Sequence, residues 1–133
     1  MLDGQTCLVT GSSRGIGRGI AKDLAAYGAE VVVNYRSSER AAEDVVDAIE
    51  TDGGAAIAVQ GDVSQYAEVE RMREEIHDRF GPIDVLVNNA GITVDKTFEN
   101  MTREDWDAVI DVNLGGVFNT SHCFFDDLKQ SEA

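Results

Sequence analysis

The octapeptide Thr10-Gly11-Ser12-Ser13-Arg14-Gly15-Ile16-Gly17 constrains the fold more than any other stretch of this chain. It follows the apolar run Cys7-Leu8-Val9 and opens a segment in which Ile16, Ile20, Leu24 and Tyr27 recur at helical spacing. A strand, a glycine turn and a helix start are therefore expected in succession. Gly11, Gly15 and Gly17 allow a sharp turn off the strand, close approach of an anion to the backbone, and a helix that begins tight against a sheet. The first amides of that helix have no partner within it and carry the positive end of its dipole. The stretch reads as a cradle for a pyrophosphate.

The rest of the chain repeats strand and helix. Residues 5–10 are predicted as the first strand and 15–27 as the first helix, closed by Gly28. Residues 30–35 hold the continuous Val31-Val32-Val33 of a strand buried on both faces. A second helix over 38–50 places Ala42, Val45, Val46 and Ile49 on one side, and a third strand follows over 55–61. Ser64 is the expected cap of a third helix bearing Val69, Met72, Ile76 and Phe80, which Gly81-Pro82 stops before a fourth strand over 83–88. Connections of this kind are crossover helices, so the strands must be parallel and the crossovers right-handed. The predicted architecture is α/β, one Rossmann-type domain over 1–133 with strand order 3-2-1-4 and helices on both faces of the sheet.

From Thr102 to about residue 129 the pattern predicts one long amphipathic helix carrying Trp106, Val109, Ile110, Leu114, Val117, Phe118, Phe124, Phe125 and Leu128. Thr102 and Asp105 have the spacing of a capping pair. The stripe is wider than one sheet face demands, which points to a second copy of the chain packing on it as a homo-oligomer.

With 25 acidic and 11 basic residues the net charge is −14, a surface that repels nucleic acid and anionic membranes. The acids are spread over helix faces and only Lys22, Lys96 and Lys129 are lysines, a balance suited to a halophilic cytoplasm of high ionic strength. Met1-Leu2-Asp3-Gly4-Gln5 has neither the basic nor the apolar region of a signal peptide, so a cytoplasmic location is expected. Cys7 and Cys123 read as buried thiols rather than a disulfide, and His77, set among charges, as a solvated side chain. His77 and His122 lack the spacing of metal ligands, and no metal site is expected.

The tip of strand two, about 20 residues past the glycine turn, meets the adenosine ribose in a dinucleotide site. Here it reads Asn34-Tyr35-Arg36, with no acid to repel a 2′-phosphate. Arg36 and Arg14 place two guanidinium groups where NADP carries its extra phosphate, so NADP(H) is expected over NAD(H). Asn113 interrupts an apolar face ahead of Gly115 and Gly116, each costing about 1 kcal/mol within a helix relative to alanine. Close packing or a local bulge must offset that cost.

The pattern Thr-Gly-x-x-x-Gly-x-Gly at 10–17, together with Asn88-Asn89-Ala90-Gly91 at the end of strand four, resembles the short-chain dehydrogenase/reductase family over essentially all 133 residues but only the first half of the family's length. The resemblance implies that Gly11, Ser12, Ser13, Arg14, Gly15, Ile16 and Gly17 cradle the cofactor. It implies that Asp62 accepts from the adenine amino group and that the Val63 amide binds the ring, although spacing alone serves equally for Asp62 as a turn residue ahead of Ser64. It gives Asn88 a structural role, lines the cofactor cleft with Asn89, Ala90 and Gly91, and makes Asn113 the catalytic asparagine that holds a water on a proton path. The family's serine and Tyr-x-x-x-Lys pair have no counterpart, since Val31, Glu39 and Glu70 stand four residues after Tyr27, Tyr35 and Tyr66. The 133 residues alone are therefore expected to be inactive, an amino-terminal part ending before the fifth strand.

Residues 91–107 look most like the acetoacetyl-CoA and 3-oxoacyl-thioester reductases of that family, implying an NADPH-dependent oxidoreductase with an acyl-thioester substrate. A sugar or polyol dehydrogenase of the same family is the nearest alternative. A non-catalytic nucleotide-binding or assembly module is another. A methyltransferase is disfavoured by the missing acid at residues 34–37.

Overall fold

The computed structural model describes residues 1–133. In chain order it contains β1 (Thr6–Val9), α1 (Gly15–Ala26), β2 (Glu30–Tyr35), α2 (Glu39–Thr51), β3 (Ala55–Gln60), α3 (Tyr66–Arg79) and β4 (Val85–Val87). A 3₁₀ turn (Phe98–Asn100), α4 (Arg103–Ile110), a π-helical turn (Asp111–Gly115), α5 (Gly116–Cys123) and α6 (Phe125–Gln130) complete it. The sheet has order β3-β2-β1-β4, and each neighbouring pair is parallel. The doubly wound order predicted from the connections is the one observed.

Strand side chains alternate between the two faces, which explains why Val31, Val32 and Val33 are all fully buried. Cys7, Val9, Val31 and Val33 point to one face, under Ala21 and Ala25 of α1 and Val45 and Ile49 of α2. Leu8, Val32, Ile57 and Val59 point to the other, under Val69, Met72 and Ile76 of α3 and the ring of Phe124. Each of these valines and leucines contributes roughly 2 kcal/mol by leaving water. Both cysteines are free, and burial, helped by the charge of Asp84, pushes the Cys7 thiol up to about 11.

Helix ends follow local chemistry. Gly28 takes φ +101° after α1 and returns its amide to the Ala25 carbonyl, and Gly81 takes φ +84° after α3, as their places in the sequence predict. The start of α3 differs from expectation. Its cap position is Gln65, while Ser64 donates its hydroxyl to Asp62, two residues closer to the strand, at 2.7 Å. Thr102 and Asp105 do form a reciprocal capping box at α4.

The single long helix expected over 102–129 is instead four segments. A π-helical turn over Asp111–Gly115 separates α4 from α5, and Phe124, at φ −94° and ψ 9°, separates α5 from α6. The weak helix formers Gly115 and Gly116 favour the irregularity, and close packing repays part of their cost: a Cβ on Gly116 would lie 2.7 Å from Val63 Cγ2. Phe124 turns wholly into the core, while Trp106, Leu114, Phe118 and Phe125 remain exposed. No helix is long and apolar enough to cross a membrane.

His77 is also not the solvated residue its neighbours suggested. Its Nε2 lies 2.7 Å from Asp127 Oδ2, the same oxygen that accepts the Ile83 amide, and Arg73 approaches the other oxygen at 3.3 Å. Asp127 is only 4% exposed, so it fastens α6 to α3 and to the chain entering β4.

Candidate functional site

The carboxyl ends of the strands open onto a cleft of about 440 Å³. It lies where sheet order reverses around β1, the crevice in which open α/β sheets hold ligands. Gly11, Ser13, Arg14 and Ile16 line it from the turn after β1, Asn34 to Ser38 from the end of β2, Gly61, Asp62 and Val63 from the end of β3, and Asn89 to Ile92 from the end of β4. Most of the residues singled out in the sequence thus converge on one place. Ser12, Gly15 and Gly17 belong to the turn without lining the cleft.

The turn is held by the protein and open to a ligand at the same time. Gly11 adopts φ +61°, and a Cβ there would meet Ala90 Cα at 2.8 Å. Gly17 is buried, with the Gly11 carbonyl and the Asn89 amide group where its Cβ would be. Asn89 donates its side chain to the carbonyls of Thr10 (3.1 Å) and Gly11 (3.0 Å), and the Thr10 hydroxyl accepts from the amides of Asn89 and Ala90, both at 3.0 Å. These contacts weld the turn to the end of β4. The buried Ser12 hydroxyl donates to Val9 at 2.7 Å and plays a supporting part.

No side chain caps α1. Its cap position is Arg14, in extended conformation, and no side-chain oxygen meets the first amides. Ser, Thr, Asp or Asn is the usual occupant of that position, and an uncapped helix start facing a cleft is suited to an anion. A Cβ built on Gly15 meets nothing within 4 Å, so the protein leaves open space beside the first residue of α1. A dinucleotide fits here: its diphosphate matches the amides, and the cleft is of ligand size.

Asn34 was expected to touch the cofactor, but its side chain is spent on the protein. It is 2% exposed, accepts from the Gly11 amide at 3.1 Å, and donates to the carbonyls of Val59 and Gly61, each at 3.2 Å. Past the ends of the ladder it replaces strand pairing among β1, β2 and β3. Asn88 is structural in the same sense, accepting from the Thr120 hydroxyl and donating to Ser121 at 3.3 Å.

Two guanidinium groups reach the cleft from different elements, although the chain carries a net charge of −14. Arg14 contacts the Ser38 hydroxyl, and Arg36 Nε lies 3.5 Å from Asp62 Oδ2. The other Asp62 oxygen accepts from the Ser64 amide at 2.9 Å and from its hydroxyl, so Asp62 is both a turn residue and a cleft residue. Ser37, Ser38, Ile92 and Val112 also line the cleft and were missed by sequence reasoning. The run of small hydroxyls directly after Arg36 was the available signal.

Asn113 does not line the cleft, but it holds a residue that does. Its Oδ1 accepts from the Ile92 amide at 2.9 Å and its Nδ2 donates to the Ile92 carbonyl at 3.1 Å. It sits in the π-helical turn, a feature that recurs at functional sites.

The profile described as short chain dehydrogenase matches residues 5–133. A 3-oxoacyl-[acyl-carrier-protein] reductase of Synechocystis sp. is 55% identical over 117 residues, covering 88% of this chain and 47% of that protein. The 3-oxoacyl-[acyl-carrier-protein] reductase FabG of Staphylococcus epidermidis is 50% identical over 115 residues, 86% of this chain and 47% of its own length. A short chain dehydrogenase from Burkholderia cenocepacia, crystallised with NADP, superposes with a TM-score of 0.89 at 42% identity, over 94% of this chain and 51% of its own. A dehydrogenase/reductase from Sinorhizobium meliloti gives 0.91 at 38% identity, over 94% and 50% of the respective chains. The chain spans about half the length of the curated relatives it matches. On a profile covering nearly every residue and a fold shared with these solved structures, the chain belongs to the short-chain dehydrogenase family.

Proposed function

We propose that this chain is the cofactor-binding part of an NADPH-dependent reductase that converts a 3-oxoacyl thioester to its 3-hydroxyacyl form. One observation carries the cofactor half of that reading: the uncapped start of α1 opens into a cleft reached by both Arg14 and Arg36. The reductases of Synechocystis and Staphylococcus epidermidis support the substrate class. The NADP-bound Burkholderia relative supports the choice of dinucleotide.

When bound, NADPH supplies a hydride to the substrate carbonyl. The chain's own residues bind and orient. The amides opening α1 hold the diphosphate, and Arg14 and Arg36, with Ser37 and Ser38 beside them, take the 2′-phosphate. Asp62 and the Val63 amide take the adenine edge. Ala90 and Gly91 leave room for the second ribose, and Asn89 keeps that wall in register with the turn. Asn113 fixes Ile92 and holds a water on the path by which a proton reaches the reduced oxygen. The exposed Trp106, Leu114, Phe118 and Phe125 serve as the contact for a second copy of the chain.

Fluorescence titration tests the cofactor reading. NADPH is expected to bind at least tenfold tighter than NADH, and Arg36→Asp to abolish the difference by placing an anion against the phosphate. Equal affinities in the unaltered protein would overturn the assignment. Steady-state oxidation of NADPH by the whole protein tests the substrate class, with acetoacetyl-CoA expected to outperform polyols and sugars.

A further inference from the structure

Arg36 is two-thirds exposed, and its guanidinium has one protein contact, the 3.5 Å approach to Asp62. A long cation held so loosely sweeps through solvent unless its backbone is fixed. Three side chains outside the cleft supply that fixation. Gln60, the last residue of β3, donates its amide to the Arg36 carbonyl at 2.9 Å. Arg71 of α3 donates to Gln60 Oε1 at 2.8 Å and to the Gln60 carbonyl at 3.2 Å. Glu68 pairs with Arg71 at 3.5 Å and accepts the Asp62 amide at 3.0 Å. The contacts close a ring running Arg36, Gln60, Arg71, Glu68, Asp62 and back to Arg36.

The chemistry of the ring is directional. A guanidinium has donors only, so Arg71 must face the oxygen of the Gln60 amide, and the nitrogen of that amide is left facing the Arg36 carbonyl. Arg71 thereby selects the one amide orientation that anchors Arg36. The ladder gives no alternative anchor, because β2 ends at Tyr35, whose carbonyl already accepts from Gly61 at 2.9 Å.

We propose that Gln60 and Arg71 are positioning residues for cofactor selectivity, acting through the backbone of Arg36 to aim its guanidinium at the 2′-phosphate. The inference rests on the NADPH reading above and adds to it two residues that never touch the cofactor.

Binding of NADPH and of NADH is to be measured by fluorescence titration for the unaltered protein and for Gln60→Leu, Arg71→Met, Arg71→Lys and Arg36→Met. Gln60→Leu and Arg71→Met are each expected to weaken NADPH about fivefold, the scale of one net hydrogen bond, and to leave NADH within about twofold. Arg71→Lys keeps a donor for Gln60 and is expected to recover most of the loss. If both variants weaken the two cofactors equally, or neither changes their ratio while Arg36→Met does, the positioning role is overturned and the NADPH reading stands. If Arg36→Met leaves the ratio unchanged, the reading itself falls, and the inference with it. Should Gln60→Leu fold poorly, Arg71→Met on the exposed face of α3 carries the test alone.

Discussion

Asn113 grips Ile92 by both of its backbone polar groups, accepting from its amide at 2.9 Å and donating to its carbonyl at 3.1 Å. A side-chain amide used this way substitutes for a missing strand partner, and it ties the wall after β4 to the π-helical turn, whose Val112 lines the same cleft. Asn113→Ala is expected to weaken NADPH binding about fivefold and Asn113→Asp, which keeps only the acceptor, to fall between. Isothermal calorimetry of the three proteins checks the order.

The two left-handed glycines of the turn separate strain from crowding. Gly11→Ala and Gly15→Ala both force φ near +60° on an alanine, costing roughly 1–2 kcal/mol. Only the first also drives a methyl to 2.8 Å from Ala90 Cα. Denaturant unfolding should therefore show Gly11→Ala less stable than Gly15→Ala by a further 1–3 kcal/mol, approximately the cost of overpacking.

Asp127 joins three parts of the molecule, and its loss strands a buried donor. Asp127→Ala leaves the Ile83 amide unpaired, costing about 1–3 kcal/mol, and frees Arg73 and His77 from their shared acceptor. Asp127→Asn retains an acceptor for Ile83 and is expected to lose less. Thermal melts of the two variants read the difference.

The Asp105 carboxyl is held below the ordinary carboxylate value by the Lys96 ammonium and then by the Thr102 amide. A group depressed in the folded state contributes stability above its unfolded value, about 3.9, and loses it as pH falls through the folded value. Stability should therefore decline below about pH 4, and Asp105→Asn should flatten that part of the profile. Chemical unfolding between pH 3 and 7, roughly the span of carboxylate titration, measures it.

With 25 acidic residues against 11 basic ones, self-repulsion is the electrostatic load on this fold. Salt screens it, so the melting temperature is expected to rise between dilute buffer and roughly 1 M KCl, where the Debye length falls to about 3 Å. A flat or falling trend in calorimetry would remove the inference of a high-salt environment.

Local patterns carried most of the architecture. The glycine turn, the valine run of β2 and the glycine stops after α1 and α3 each state their structure within a few residues, and parallel order follows from connection length. What local pattern could not carry was anything decided by distant partners. His77 and Asp127 lie 50 residues apart, and each alone looks like a surface polar group. Asn34 was legible as a residue of the strand tip, and it lines the cleft; the partners of its side chain, Gly11, Val59 and Gly61, arrive only when three strands assemble. The stripe beyond Thr102 read as one helix because apolar spacing is blind to one additional residue within a turn.

That additional residue, in the wider turn at Asp111–Gly115, sets the azimuth of everything after it. An α-helix advances about 100° per residue and the wider turn less, so winding the same residues as plain α-helix would rotate the remainder by nearly that angle. Thr120 would swing off Asn88, and Phe124 would leave the core. The irregular winding is thus a phase correction, and a smoother helix would be the misaimed one.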